Sequence, residues 1–362
     1  MLSSTLPPAR VGRAIDFIRH HLGQLHRRMV PPPAAMMEMI TNAWAAQAIT
    51  AAADLGIADA LANGPLSADE LAVAVGADAD TISRLLRALI GQGIFRQRSD
   101  GRYDLTPLAD TLRSDGEASL RALARFVGAP QHREHWSHLT DAIRTGRAVI
   151  PVLRGKPIFE YLAEEKELDE IFNDAMTSAS EMAIPPVIAG YDFSRYATIV
   201  DVAGGHGRLL AAILQATPQA RGILFDQPHV VAGAAALLKQ HQVADRVDLA
   251  EGSFFESVTD GGDAYILKHI IHDWPDDEAL QILRNVRIAA GAGKHVLLVE
   301  FVIPEHGREF VGHWLDLEML VGAGARERTA AQYEQLLNRA GFRMTRVVET
   351  ASPISVVEAV AV

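Results

Sequence analysis

The sequence predicts an α/β protein. Its C-terminal half reads as a doubly wound, mainly parallel seven-stranded sheet with an antiparallel C-terminal hairpin, and its N-terminal part as a helical, winged-helix-like unit. Three observations carry this. From Thr198 onward, apolar β-type runs at 198–203, 222–225, 247–249, 264–267, 295–299, 342–348 and 354–360 are mostly separated by helical patterns, as strand–helix–strand units require. Only Glu349-Thr-Ala-Ser-Pro353 joins the last two runs, too little for a crossover helix, so that pair is expected to be antiparallel. The first run leads straight into a glycine-rich turn, Asp201-Val202-Ala203-Gly204-Gly205-His206-Gly207, and in such sheets ligands sit at the C-terminal ends of the strands.

The N-terminal elements follow in order. Arg10, Arg13, Arg19, Arg27 and Arg28 make a basic arm without an apolar run of the secretory type, and it is read as a disordered or packing arm. Pro31-Pro32-Pro33 ends the arm, and an alanine-rich helical pattern runs from Ala34 to Leu61. Ser67-Ala-Asp-Glu70 has the spacing of a capping box and marks a helix start. Residues 71–75 and 80–90 read as two short helices around Gly76. Residues 94–98 and 102–105 flank Ser99-Asp-Gly101, which is hairpin turn chemistry. Two helices and a hairpin describe a winged helix. Its surface mixes Arg84, Arg87, Arg96 and Arg98 with Asp69, Glu70, Asp78 and Asp80, unlike the clean basic face of a DNA reader. Residues 116–190 read as mostly helical.

Composition narrows the class of function. A chain of 362 residues has room for two domains. It holds no stretch of about 18 uncharged apolar residues, so no membrane span is expected. A net charge of −11 opposes broad attraction to nucleic acid or anionic membranes. The absence of cysteine excludes disulfides and thiolate chemistry and fits a cytoplasmic setting. A small-molecule partner is the default.

Asp226 closes the second apolar run, 25 residues after Asp201 by subtraction (226 − 201), a spacing at which an acid accepts hydrogen bonds from ribose hydroxyls. Nicotinamide dinucleotides and S-adenosylmethionine both carry that ribose. A dinucleotide fingerprint starting at Gly205 needs a small residue at position 210, where Leu210 stands; S-adenosylmethionine has no phosphate to bind. Gly252-Ser253-Phe254-Phe255 follows the third run, where an aromatic face can lie against a purine, and Lys268 ends the fourth run, where it can pair with a carboxylate.

The segment Leu267-Lys-His-Ile-Ile-His-Asp-Trp-Pro-Asp-Asp-Glu278 puts two histidines, an aspartate and a tryptophan at a strand tip. His269 and His272 could ligate a metal, but spacing fixes no third ligand, and Asp273 could equally cap the helix near Pro275. A general base is the stronger reading: a histidine accepts a hydroxyl proton near neutral pH, and Glu300 or Glu327 would hold its ring.

Together, Asp201-Val-Ala-Gly-Gly-His-Gly207, Phe225-Asp-Gln-Pro-His229, Leu267-Lys-His-Ile-Ile-His-Asp-Trp274 and Arg326-Glu-Arg-Thr329 resemble the caffeic acid-type O-methyltransferases, plant and bacterial enzymes that use S-adenosylmethionine. The resemblance runs from the winged-helix region through Phe159-Glu-Tyr161 and Phe172-Asn-Asp-Ala-Met176 to the C-terminus. It implies a sheet of the class I methyltransferase type, an intertwined homodimer and no metal. It implies His272 as catalytic base, flanked by Glu300 and Glu327. Gly205, Asp226, Phe254 and Lys268 match cofactor positions, to which Asp201 and Ser253 are added. Met176 and Met319 match the acceptor pocket, with Asp273 placed on the substrate side. Ala203 stands where many relatives have glycine, and Ser253 where an aspartate contacts adenine.

The expected domains are thus 1–115, a dimerisation domain; 116–190, a helical connector contributing to the acceptor pocket; and 191–362, the S-adenosylmethionine-binding catalytic domain. The expected activity is methylation of an aromatic hydroxyl. The alternatives are N-methylation, drifted decarboxylase or hydroxylase chemistry on the same fold, and a ligand-responsive winged-helix regulator.

Overall fold

The computed structural model describes residues 9–116, 118–305 and 309–362. Two compact units form. One comprises His21–His138 with Lys156–Met182; the other comprises Leu139–Gly155 with Ala183–Val362, joined by the residues before His21.

In the first unit the expected local signals produce the expected elements. Ser67 and Glu70 form a reciprocal capping box, Ser67 N donating to Glu70 Oε2 (2.8 Å) and Glu70 N to Ser67 Oγ (3.2 Å), a cap contributing about 1 kcal/mol. Helix Ala68–Val75 follows, then helix Ala79–Gly91. Strands β1 (Phe95–Gln97) and β2 (Tyr103–Leu105) then pair antiparallel, Phe95 opposite Leu105. Ile57, Leu71, Ile82, Leu86, Leu89, Phe95 and Tyr103 are buried together. The hairpin's arginines are matched to acids, Arg96 with Asp104, Arg98 with Asp100 and Arg102 with Glu70.

The basic arm is helical over Ala9–Arg28; the residues before it lie outside those described. A helix forms because Val11, Ile15, Ile18, Leu22 and Leu25 recur at helical spacing, and all five remain exposed. Helix Pro32–Asp54 starts on a proline that needs no N–H in the first turn. It leaves Met36, Met37, Met39, Ile40 and Trp44 exposed. No described helix is long and apolar enough to cross a membrane.

The second unit is built on a sheet with strands β3 (Thr198–Val202), β4 (Arg221–Asp226), β5 (Val247–Glu251), β6 (Ala264–Lys268), β7 (His295–Ile303), β8 (Arg328–Thr329), β9 (Phe342–Glu349) and β10 (Ile354–Ala361). Their order is β5-β4-β3-β6-β7-β10-β9. β3 to β7 run parallel, while β10 pairs antiparallel with both β7 and β9. The seven expected strands are present. An eighth, β8, pairs with the end of β7, Val302 opposite Arg328. Two residues carry no readable periodicity, so the sequence reading had no means of finding it.

Alternation along the strands explains both cores. Ile199, Ile266, Leu297, Val299 and Val356 face Leu209, Leu210, Ile213 and Val187. Val200, Val202, Tyr265, Leu267, Leu298 and Val357 face Leu280, Leu283, Tyr333 and Leu337. Each buried aliphatic side chain contributes about 1.5–3 kcal/mol. Val187 lies in helix Lys166–Gly190, which continues through Pro185 and Pro186. At the far end of β10, buried Glu358 accepts from Tyr191 Oη (2.7 Å), Arg346 Nη2 (2.9 Å), Thr345 Oγ1 (3.0 Å) and Arg195 Nη2 (3.2 Å). Burial pushes its carboxyl up, but these donors outweigh it and hold the pKa at about 2.

The strand order reverses between β3 and β6, and a crevice at their C-terminal ends follows from that topology. The glycine turn, Asp226, Lys268 and the segment of His269 and His272 lie at or just after the C-terminal ends of β3, β4 and β6.

Candidate active site

Ala203 and Gly204 follow β3 into the glycine turn, with Ala203 N donating to Phe225 O (2.7 Å). Three of its residues are left-handed: Gly205 (φ 60), Gly207 (φ 83) and Ala203 (φ 55). Ala203, which departs from the resembled pattern, therefore occupies a conformation that costs an alanine about 1 kcal/mol. Gly204 is required for space: a Cβ there would lie 2.6 Å from Asp201 Oδ2 and 2.6 Å from Leu224 Cδ1. Leu210 is buried above Gly222 of β4, where an added Cβ would come within 2.8 Å of it. The large residue at 210 is thus matched by a missing side chain on the neighbouring strand.

Asp226 ends β4 and binds the turn, accepting from Gly205 N through Oδ2 (2.8 Å) and from Gln227 N through Oδ1 (2.7 Å). Each oxygen keeps a second lone pair. Asp201 is buried, and its Oδ2 has no hydrogen-bond partner. Burial raises its carboxyl to about 7, with Asp226 adding to the rise and Lys268 opposing it. Burial likewise lowers the Lys268 ammonium, against the pull of Asp201 and Glu300. Lys268 is therefore not an ordinary solvated lysine. Ser253 Oγ accepts from Phe255 N (3.3 Å). Phe254 and Phe255 are both partly buried and form an edge-packed cluster with Trp274, centroids 6.0 and 4.6 Å away.

The segment after β6 holds the acid–base group. His269 has φ 55, its Nε2 is buried without a partner, and its ring stacks on Phe301 at 5.5 Å. Burial, then the charges of Lys268 and His272, keep it well below the usual histidine range. His272 is buried, and its Nδ1 lies 2.7 Å from Glu327 Oε1. Asp273 Oδ1 is 3.4 Å from His272 Nε2, and Glu300 Oε2 is 3.8 Å from Nδ1. Burial alone would lower His272; Glu300, Asp273 and Glu327 outweigh it and raise it to about 10. The converse holds for Glu300, where burial dominates and raises the carboxyl.

The two glutamates differ in what they hold. Glu300 lies inside β7, fully buried, and its Oε1 accepts from Ile270 N (3.2 Å) and Ile271 N (2.9 Å). Glu327 holds the imidazole itself. Neither is a solvated loop charge. His272, Glu300 and Glu327 offer ligand atoms within 4.8 Å of one another, but a ring nitrogen and an oxygen 2.7 Å apart bond each other directly. Asp273 does not cap the following helix, Asp276–Ala290, whose N-cap is Pro275 without a side-chain bond; it turns to His272 instead.

Met319 is half-buried on helix Gly312–Gly322. Met176 belongs to the other unit, on helix Lys166–Gly190, and is 40% exposed. The sequence reading assigned nothing to Arg328, although it lies within the quoted Arg326-Glu-Arg-Thr329 motif. An arginine beside a candidate acid before a helix cap reads as a solvated charge, yet it is 1% exposed.

Comparison with known proteins shows the family. Residues 136–343 match the model of the O-methyltransferase domain, and residues 37–115 that of the O-methyltransferase dimerisation domain. A phenazine O-methyltransferase of Lysobacter antibioticus is 42% identical over 330 residues, 91% of this chain and 96% of that one. An 8-amino-8-demethylriboflavin N,N-dimethyltransferase of Streptomyces davaonensis is 33% identical over 312 residues, 85% and 89% of the two chains. An O-methyltransferase from neocarzinostatin biosynthesis, solved with S-adenosylmethionine and 2-hydroxy-5-methyl naphthoic acid, superposes with a TM-score of 0.74 at 33% identity, covering 88% of this chain and 96% of that one. The chain belongs to the O-methyltransferase family, in which S-adenosylmethionine is the methyl donor.

Proposed function

We propose that this enzyme methylates a hydroxyl of an aromatic small molecule of the natural-product type, with His272 as general base. The observation that carries the reading is the buried His272–Glu327 bond of 2.7 Å at the tip of β6. Nδ1–H donates to Glu327 Oε1, which in the neutral ring leaves Nε2 as the acceptor nitrogen. The imidazolium formed when a hydroxyl gives up its proton lies among Glu327, Glu300 and Asp273, all of which stabilise it.

The glycine turn fits the methyl donor: Asp201 offers an unpartnered buried oxygen, Gly204 lets the backbone approach, and Asp226 keeps acceptor capacity for a ribose. Bound S-adenosylmethionine supplies an electrophilic methyl on sulfur. Gly205, Asp226, Phe254, Ser253, Asp201 and Lys268 hold and orient it. Met319, Asp273 and Met176 are the proposed acceptor-side residues, Met176 by resemblance alone. The relative with naphthoic acid bound and the phenazine-modifying relative support an aromatic acceptor.

A second reading, N-methylation, has the flavin-modifying relative in its favour. An amine attacks through its lone pair and needs no base beforehand. A panel of phenols and arylamines with labelled methyl donor separates the two. Label in phenolic ethers is the expected result; label confined to the amines overturns the hydroxyl assignment.

The dimerisation-domain match and the exposed Met36, Met37, Met39, Ile40 and Trp44 support a homodimer. Sedimentation at twice the 39.2 kDa chain mass is expected, and a monomer at micromolar concentration would sink the idea.

A further inference from the structure

Arg328 takes no part in the chemistry above, yet among the described residues it heads the largest fully buried side chains. A buried guanidinium is costly unless each of its five N–H groups finds an acceptor. All five do. Nε donates to Asp276 Oδ1 (3.2 Å), and Nη2 to the same oxygen (2.7 Å) and to Trp274 O (3.0 Å). Nη1 donates to Ile271 O (2.8 Å) and to Arg326 O (3.4 Å). Four of the five bonds end on the stretch 271–276, which carries His272.

The neighbours of Arg328 grip the same stretch. Arg326 N donates to His272 O (3.2 Å), and Glu327 bonds the His272 ring. From the other side, Glu300 takes the amides of Ile270 and Ile271. Glu327 is itself fixed by its own amide, which donates to Asp316 Oδ1 (2.9 Å). Carbonyls and ring of this short segment are thus tied to residues 326–328 at β8, and its amides to Glu300 of β7. Asp276 answers in kind: burial raises its carboxyl, but Arg328 together with Arg326 and Arg339 outweighs burial and the net shift is downward.

We infer that Arg328 is a positioning residue for the base: its guanidinium holds the carbonyls of Ile271 and Trp274 so that the His272 ring meets Glu327 and keeps its other nitrogen for the acceptor. This rests on the assignment of His272 as base. A misplacement of about 1 Å costs about a hundredfold in rate, which sets the expected effect. The groups facing the His272 ring are Asp273 from its own segment, Glu300 from β7, Glu327 beside β8 and His269 after β6.

The test uses the full chain with Arg328→Met, Arg328→Lys and Asp276→Asn. Folded fraction, S-adenosylmethionine Kd, kcat and KM are measured, with an imidazole NMR titration of the ligand-free chain. The His272 resonance is the one missing in His272→Gln. Arg328→Met is expected to lower kcat about a hundredfold per folded molecule with Kd for the donor within about twofold. The His272 titration is expected to move down toward the ordinary histidine value. Arg328→Lys restores part of both, and Asp276→Asn has the smallest effect. A kcat lost only in proportion to unfolded protein, with the titration unmoved, overturns the inference. If Arg328→Met does not fold, an unmoved titration in Arg328→Lys overturns it equally. Full turnover in His272→Gln would remove the base assignment instead, and the titration would still judge Arg328.

Discussion

His272→Gln is expected to lower kcat by about 10²–10⁴ while leaving the Kd for S-adenosylmethionine unchanged. Glutamine can still donate an N–H toward Glu327, so the buried acid stays bonded and the fold survives; what is lost is the nitrogen that accepts a proton. The pH profile gives the sharper reading. Because Glu300, Asp273 and Glu327 raise His272 to about 10 despite burial, the ring keeps its proton well above the usual pKa of about 6.5. Only the unprotonated ring accepts another. The ring is mostly charged at neutral pH, so the rate should climb with pH through the neutral and mildly alkaline range. A strong base held mostly in its charged form is the consequence of three carboxylates around one imidazole. In His272→Gln the climb should vanish. A variant within threefold of the parent, with the climb intact, would show that some other group takes the proton.

Gly204→Ala is expected to weaken S-adenosylmethionine binding about tenfold to a hundredfold and to lower unfolding free energy by about 1–3 kcal/mol. The added Cβ would meet Asp201 and Leu224 at 2.6 Å, and both are buried, Leu224 fully. Neither side chain can swing into solvent, so the turn must move and the backbone that approaches the cofactor moves with it. Gly205→Ala is the instructive contrast. Nothing lies within 4 Å of a Cβ there, but φ is 60, and the cost is backbone strain of about 1–2 kcal/mol. Calorimetric titration of both variants checks the pair. Unchanged affinity in Gly204→Ala would place the cofactor away from this turn.

The sheet was legible because its strands are apolar runs punctuated by turns: Ile199 and Val200 advertise burial on both faces, and Glu349 to Pro353 left no room for a crossover. The placement of β10 between β7 and β9 follows from pairings the sequence does not display. The Ser67–Glu70 cap was legible because its chemistry is local. The two strand-tip histidines were legible by position and the family resemblance singled out His272, but its choice of Glu327 over Glu300 was not legible. Both acids look alike in sequence, and only the fold directs one toward backbone amides and the other toward the ring. Ala203 could be noted as a departure, but its positive φ could not. Arg328 was hidden for a general reason: burial of a charge depends on acceptors gathered from residues some 50 positions away, as the Ile271 and Trp274 carbonyls are.

The register of β8 bears on how this enzyme can change length over generations. Three successive residues, 326 to 328, meet three distinct groups around His272, and Thr329 then caps helix Ala330–Arg339 through Gln332. One insertion or deletion here would move Glu327 away from the imidazole it bonds and shift the Arg328 guanidinium from its acceptors. A substitution along this strip removes one of these contacts, whereas a change in spacing disturbs all three at once. Length variation among functional descendants should therefore fall elsewhere and spare the interval from Arg326 to Thr329.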